Sequence, residues 1–416
     1  MFLGGSFREK TAIKLLLKTV EILFWVLGVV WLFAIAYLYF LATLNLIPEK
    51  RHSPPKKPQT KFAIVIPAHN EAEVIKETLE SVKNVNYPRG LYETWVIADN
   101  CTDETVQVAR EHEVSCLERS DEERKGKGFA LQWAFERLKK RNNFDSYDAF
   151  VIMDADTIMD PDFLGAMDRR IIRGEMAIQG YYDVIDPEAS PMASLSYLGF
   201  VLSRNLRYKG RTKMGWPSNL LGNGMCFSKD VINRFGWNAT SIVEDVEYAV
   251  MLLLNGIRVF FAPEAKIFAE IPRTFKESRI QRSRWDIGKF QVRNKYLGPL
   301  IKEAIRTKDV RYLDATMELL IPPFSLFLVL SFALFGLFMA TSFEGVSVLS
   351  TIWLTIVSAL IAYVLVGLVI ARASWKIYRN LVYAPLFLLW RVQTVIWGYL
   401  CKIRKQWLKT ERKGVT

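Results

Sequence analysis

Long apolar runs stand at both ends of this chain and none lies between residues 61 and 310, a distribution that constrains the fold more than any motif does. Residues 22–47 are almost wholly apolar and aromatic, enough for a helix to cross a bilayer core, which takes about 20 residues. The run is too long for the core of a signal peptide and lacks a small-residue cleavage pattern, so it reads as a span. Upstream, Arg8, Lys10, Lys14 and Lys18 share a segment with Ile13, Leu15, Leu16 and Leu17, the pattern of a short interfacial helix. Residues 52–59 read as a proline-rich linker. Toward the other end, residues 317–340 and 346–370 read as a transmembrane hairpin around a turn with no basic residue. Arg372, Lys376 and Arg379 follow it, so the positive-inside rule places that loop, and with it residues 61–310, in the cytoplasm of a cell (inner) membrane protein. Parity then puts the N-terminus outside. Residues 381–400 carry Pro385, Arg391 and Gln393 and precede a basic tail, which favours an interfacial or re-entrant helix over a span. Three regions result: 1–60, 61–310 and 311–416.

At 416 residues the chain exceeds what one hydrophobic core usually supports. Its net charge of +12 does not indicate nucleic acid, because many of the basic residues flank apolar runs instead of studding a recognition element. The four cysteines, Cys101, Cys116, Cys226 and Cys401, have no metal-site spacing and fit reduced thiols. Only three histidines are present, which disfavours a Ser-His-Asp or zinc-histidine catalyst; a base here should be a carboxylate.

In the middle region, residues 61–67, 93–98 and 149–153 are short apolar runs, each leading into polar residues and then a helical pattern. Such alternation predicts an α/β fold with a parallel sheet covered by helices, whose ligands collect beyond the carboxyl ends of the strands. Those ends carry His69, Asn70 and Glu71, then Asp99 and Asn100, then Asp154, Ala155 and Asp156. A turn or cap role accounts for any one acid, but less well for three adjacent strand ends. Asp154 and Asp156 are two residues apart, which in extended chain turns both carboxylates to one side. Two hard oxygen donors without Cys or His suit Mg2+ or Mn2+ shared with a diphosphate.

Between the second and third runs, Arg124 to Leu131 form a basic, glycine-flanked entry to a helix, suited to an anion or to plain solvation. The segment lacks the spacing of a P-loop or a dinucleotide fingerprint. Residues 219–227 read as a glycine-interrupted strand whose backbone approaches a ligand. Ser241 and Glu244 match a capping box, which leaves Asp245 unexplained. Residues 275–296 read as an amphipathic helix at the membrane surface carrying Gln281, Arg282, Arg284 and Trp285.

Taken together, the P-A-H-N-E run ending at Glu71, A-D-N at Asp99, D-A-D at Asp154, E-D at Asp245 and Q-R-S-R-W from Gln281 resemble the inverting family 2 glycosyltransferases, membrane polysaccharide synthases above all. The resemblance covers about residues 61–300 in motif order. It implies a GT-A fold, a mixed and mostly parallel sheet with helices on both faces, beside transmembrane helices. It implies that His69, Glu71 and Asp99 hold the uridine of a UDP-sugar donor and that Lys127 and Asp154 help hold the nucleotide. Asp156, with Asp154, would bind the metal. Asp245 would be the base, Arg284 would steady the leaving diphosphate, and Trp285, Gln281, Glu244, Gly222, Asn223 and Gly224 would lie on the acceptor side. Two positions depart from the pattern: Val243 stands where Thr is common, and His69 where an aromatic residue often precedes N-E. The expected activity is transfer to a growing glycan for extracellular polysaccharide, with export or accessory subunits as possible partners beside membrane lipid. Single addition to a lipid acceptor and a non-catalytic nucleotide-sugar-binding subunit are the alternatives.

Overall fold

The computed structural model describes residues 4–47, 57–141, 144–272, 274–341 and 348–400. Most of the expected linker, the hairpin turn, the basic tail and Cys401 lie outside these residues. The first helix, α1 (Gly4–Thr43), runs unbroken, so the basic segment expected as a separate interfacial helix is continuous with the first apolar run. Next come β1 (Phe62–Ala68), α2 (Ala72–Lys83), β2 (Tyr92–Asp99), α3 (Thr105–Glu111), β3 (Ser115–Arg119), α4 (Lys127–Lys140) and β4 (Ala149–Ile152). β5 (Thr157–Met159), α5 (Phe163–Ile172) and β6 (Ala177–Val184) lead to α6 (Pro191–Val201), a π-helical turn (Leu202–Tyr208) and α7 (Lys209–Met214). β7 (Met225–Ser228), α8 (Lys229–Phe235), α9 (Glu244–Leu254) and β8 (Val259–Ala269) complete the sheet domain. The described residues beyond it are mainly helical: α10 (Phe275–Thr307), α11 (Val310–Leu320), α12 (Phe324–Thr341), α13 (Val348–Ile370), α14 (Trp375–Asn380) and α15 (Ala384–Leu400).

Among the described residues eight strands form one sheet in the order β3-β2-β1-β4-β7-β6-β8-β5. The pairs β2–β3, β1–β2, β1–β4 and β6–β8 are parallel, whereas β4–β7, β6–β7 and β5–β8 are antiparallel. The fold is thus GT-A-like, mixed and mostly parallel. The central strands read as unbroken apolar runs because both faces are covered. Val65, Ile97 and Phe150 face one core with Leu131, Phe135, Val231 and Tyr248 from α4, α8 and α9. Their neighbours Ile64, Val96 and Val151 face the other, with Ile75, Leu79 and Met167 from α2 and α5.

Among the described residues three helices are long and apolar enough to cross a membrane, Lys18–Leu46, Val348–Ile370 and Trp375–Gly398, and a bent pair makes up to four. The run expected as a continuous span over 317–340 is that pair: α11 and α12 meet at 66°. Pro322 and Pro323 fall at the junction, and proline both removes a backbone donor and clashes with the preceding turn. The stretch expected as an interfacial or re-entrant helix belongs to Trp375–Gly398, where Arg391 is buried and its charge is met by Asp286 of α10 at 2.9 Å. Phe24 and Leu38 of α1, Phe327 and Phe338 of α12 and Trp353 and Leu360 of α13 share a third core, to which Leu202 and Leu206 of the π-helical turn also belong. The turn therefore docks the sheet domain on the apolar helices.

Candidate active site

Strands β2, β1 and β4 are parallel neighbours, so the residues after each lie along one sheet edge. Asn70 and Asn100 end the first two in left-handed backbone conformations (φ 55° and 52°), which asparagine tolerates better than most residues. The Asn70 side-chain oxygen accepts from Thr102 N at 2.7 Å, and that of Asn100 accepts from Asp121 N at 2.8 Å. These bonds fix both loops around Asp99. The Asp99 carboxylate is buried against Arg119, its register partner on β3, and the Asp99 carbonyl lies 2.6 Å from Nδ1 of His69. Burial pushes the Asp99 pKa up, and the Arg119 guanidinium counters part of that shift. Glu71 sits just ahead of α2, with its backbone N–H donated to Thr105 Oγ1 at 2.9 Å.

A second group forms where β4 ends. Lys127, the first residue of α4, bonds both the Asp154 carboxylate and the Gly222 carbonyl. Burial alone would lower the lysine pKa, but the carboxylates of Asp154, Glu244 and Asp245 outweigh it and raise the pKa. The Asp154 backbone N–H donates to Asn223 Oδ1 at 3.1 Å, and Asn223 Nδ2 donates to Thr157 Oγ1 at 2.7 Å. Beyond Asp154 the chain turns at Ala155 and Asp156 before β5, so the two aspartates are not in extended backbone as their spacing suggested. Residues 219–224 are likewise not strand: β7 begins only at Met225, and Gly222 and Gly224 take positive φ. A Cβ on Gly222 would stand 3.3 Å from Asp245 Oδ2, so the bare backbone there makes room for that carboxylate.

Glu244 opens α9 and Asp245 follows. The expected capping box does not form: Val243 is the cap residue and the Ser241 backbone N–H donates instead to Glu247, at 3.2 Å. Glu247 wins because its carboxylate is already anchored by Lys295 and Tyr296, at 2.7 and 3.0 Å. That leaves Glu244 and Asp245 as a half-buried acid pair facing cations. Burial first and then Asp245 raise the pKa of Glu244, while Lys127 and Arg284 oppose. Burial and Asp154 raise that of Asp245, with Lys127 opposing. Arg284, on α10, is held down by burial but feels Glu244, Asp154 and Asp245. Five charged groups from four elements thus converge. Trp285 is 40% exposed and packs edge-on against Phe200 at 6.3 Å between ring centroids, and Gln281 lies about one helical turn before it.

Sequence reasoning missed three residues that hold this edge. Arg119 ends a five-residue strand too short and polar to stand out. Gln179 on β6 accepts from Leu221 N and donates to the Asn223 carbonyl, both at 2.8 Å; its signal was a lone polar residue in an apolar run. Tyr182 on β6 is near enough to Asp154 for that charge to add to the burial that raises its pKa. Gly128 brings α4 onto the loop before α9, since a Cβ there would meet the Ala239 carbonyl oxygen at 2.6 Å. Gly128→Ala is therefore expected to destabilise the protein by about 1–3 kcal/mol through overpacking against backbone. Thermal unfolding of the purified variant checks it.

Residues 58–288 match the model of the glycosyltransferase-like family 2, more than half of the chain, and the protein belongs to that family. It is 25% identical over 265 residues to the "Probable glycosyltransferase YdaM" of Bacillus subtilis, covering 62% of this chain and 61% of that one. It is 26% identical over 257 residues to the beta-monoglucosyldiacylglycerol synthase of a Nostoc species, covering 59% and 52%. It is 26% identical over 293 residues to the poly-beta-1,6-N-acetyl-D-glucosamine synthase of Staphylococcus aureus, covering 64% and 63%. The matches thus span under two thirds of each relative. A mannosyltransferase from Pyrobaculum calidifontis, solved with GDP-Man and Mn2+, shares the fold with a TM-score of 0.55 at 17% identity, over 85% of this chain and 98% of that one.

Proposed function

We propose that this family 2 enzyme transfers a sugar from a UDP-sugar with inversion, at the cytoplasmic face of a membrane. The observation that carries the reading is the convergence of Lys127, Asp154, Asp245 and Arg284 at the edge that also holds Asp99 and His69. In this reading Asp99, His69 and Glu71 take the uridine, and Lys127 and Arg284 take the negative charge of the diphosphate. Asp245 accepts the proton of the acceptor hydroxyl as its oxygen attacks the anomeric carbon opposite the diphosphate. The bond from that carbon to phosphate breaks, and its electron pair leaves with UDP. Gly222, Asn223, Gly224, Glu244, Gln281 and Trp285 border the acceptor.

Among the described residues no group of three or more His, Cys, Asp or Glu side chains is placed to hold a metal. Asp154 and Asp156 still fit Mg2+ or Mn2+, since such ions are held by one or two carboxylates with substrate phosphates and water supplying the rest. A bound ion would supply positive charge to the leaving diphosphate. Incubating membranes with a panel of UDP-sugars and either ion, followed by mass analysis, tests the reading; failure of every donor to release UDP would overturn it.

A pH dependence follows from Asp245. Only the carboxylate accepts a proton, and burial raises its pKa, so transfer should fall on acidification through a midpoint well above the ordinary aspartate value of about 3.9. Lys127 holds that pKa down, so Lys127→Met should move the acid limb to higher pH in a rate profile at saturating donor.

The relatives are named for a lipid product in one case and a polymer in another. Polysaccharide synthesis, the first expectation, finds no specific support in the geometry. The alternative, a lipid acceptor, is supported by the apolar cavity that Leu221 and Trp285 line.

A further inference from the structure

A cavity of about 1010 Å³ opens between α6, α10, α12, α13 and α15. That is the upper end of the size range for ligand pockets. Its wall is mostly hydrocarbon and aromatic, from residues such as Leu198, Leu328, Phe332, Val364 and Leu388. Two parts of the wall border the reaction centre. Leu221 precedes Gly222, whose backbone lies against Asp245, and Trp285 follows Arg284, whose charge couples to Asp245 and Asp154. The polar lining includes Arg282, which donates to Ser196 and Ser278 hydroxyls at 2.8 and 3.2 Å and stands over Phe387. Among the described residues Arg282 has no carboxylate within ion-pair distance.

We infer that the acceptor is a membrane lipid with a hydroxyl on its head group, its hydrocarbon in this cavity and its hydroxyl at Asp245. The inference rests on the proposed transferase reading. A glycan threaded along such a wall would leave hydroxyls unpaired, at a cost of about 1–3 kcal/mol each, whereas a hydrocarbon chain loses nothing there and gains burial. Helices of spanning length and composition form much of the wall, so a lipid enters from the bilayer without crossing water. The polar end suits a head group: Arg282 and Trp285 lie three residues apart on one helix face.

The test uses Gly199, which lines the cavity and has nothing within 4 Å of where a Cβ would stand. Gly199→Phe fills the space and removes a glycine from a helix, so the fold should tolerate it. The full chain is reconstituted in vesicles of total lipid from the expressing cells, supplemented with diacylglycerol, and given radiolabelled UDP-sugars with Mn2+. The expected result is label in the chloroform phase that falls about tenfold in Gly199→Phe. Ala333→Phe, from the facing wall, should act in the same way, and UDP binding by calorimetry should be kept in both. Label confined to the water phase, as free sugar or lengthening oligosaccharide, would overturn the lipid acceptor and leave the transferase reading standing. Equal lipid labelling by wild type and both variants would overturn the cavity as the chain site. No UDP release from any donor would overturn both readings together.

Discussion

Asp245→Asn is expected to lower sugar transfer by about 10²–10⁴-fold, the contribution a positioned general base makes, while UDP binding stays within a few-fold of wild type. The amide keeps the shape of the side chain and loses the ability to accept a proton. The Asp245 side chain accepts from the neighbouring backbone N–H of Val246 at 2.8 Å, which an amide oxygen can still accept, and Lys127 keeps its bond to Asp154. Calorimetric binding of UDP beside a transfer assay separates the two effects. Full activity would remove Asp245 from the mechanism and point to Glu244, its partner in the half-buried pair.

Arg211→Met should produce the largest loss of stability, about 3–5 kcal/mol, because it strands buried carboxylates. Arg211 is 1% exposed, lies 3.1 Å from Asp314 and 2.7 Å from Glu318, and donates to the hydroxyl of Tyr37 at 2.8 Å. Glu318 would keep Arg207 at 3.0 Å and Asn219 at 3.1 Å, but Asp314 would keep only Tyr37 among these partners. Pairing the change with Asp314→Leu should recover much of the loss, since well-packed apolar groups replace buried ion pairs at little cost. Thermal unfolding in detergent measures both; a single variant as stable as wild type would show that the network does not hold the domain to α1.

Much of this architecture was legible because buried parallel strands advertise themselves. The runs at β1, β2 and β4 are apolar on both faces, and each ends in acids or asparagines that only a strand-to-loop transition explains. β3 and β5 were invisible, being five and three residues long. β8 was hidden by Pro263, Glu264 and Lys266, which fall where its register with β6 shifts. At Ser241 the motif misled, because a capping box specifies spacing but not which downstream acid is anchored elsewhere; Glu247 was. Pro322 and Pro323 were plain in the sequence, yet the apolar run around them outweighed the break they impose. The cavity could not be read at all, since it depends on how separated helices splay.

Gly210 on α7 approaches the backbone of Leu41 so closely that any side chain would collide with its carbonyl, and Asn45 donates to the Leu206 carbonyl at 3.2 Å. The sheet domain and the first apolar helix are thereby one lever with no slack between them. If that helix spans a bilayer, as the proposed function has it, a thinner or thicker membrane would tilt the entire body and leave the spacing between donor edge and hydrocarbon unchanged. Turnover should then depend on which lipids surround the protein far more than on how deep the leaflet is.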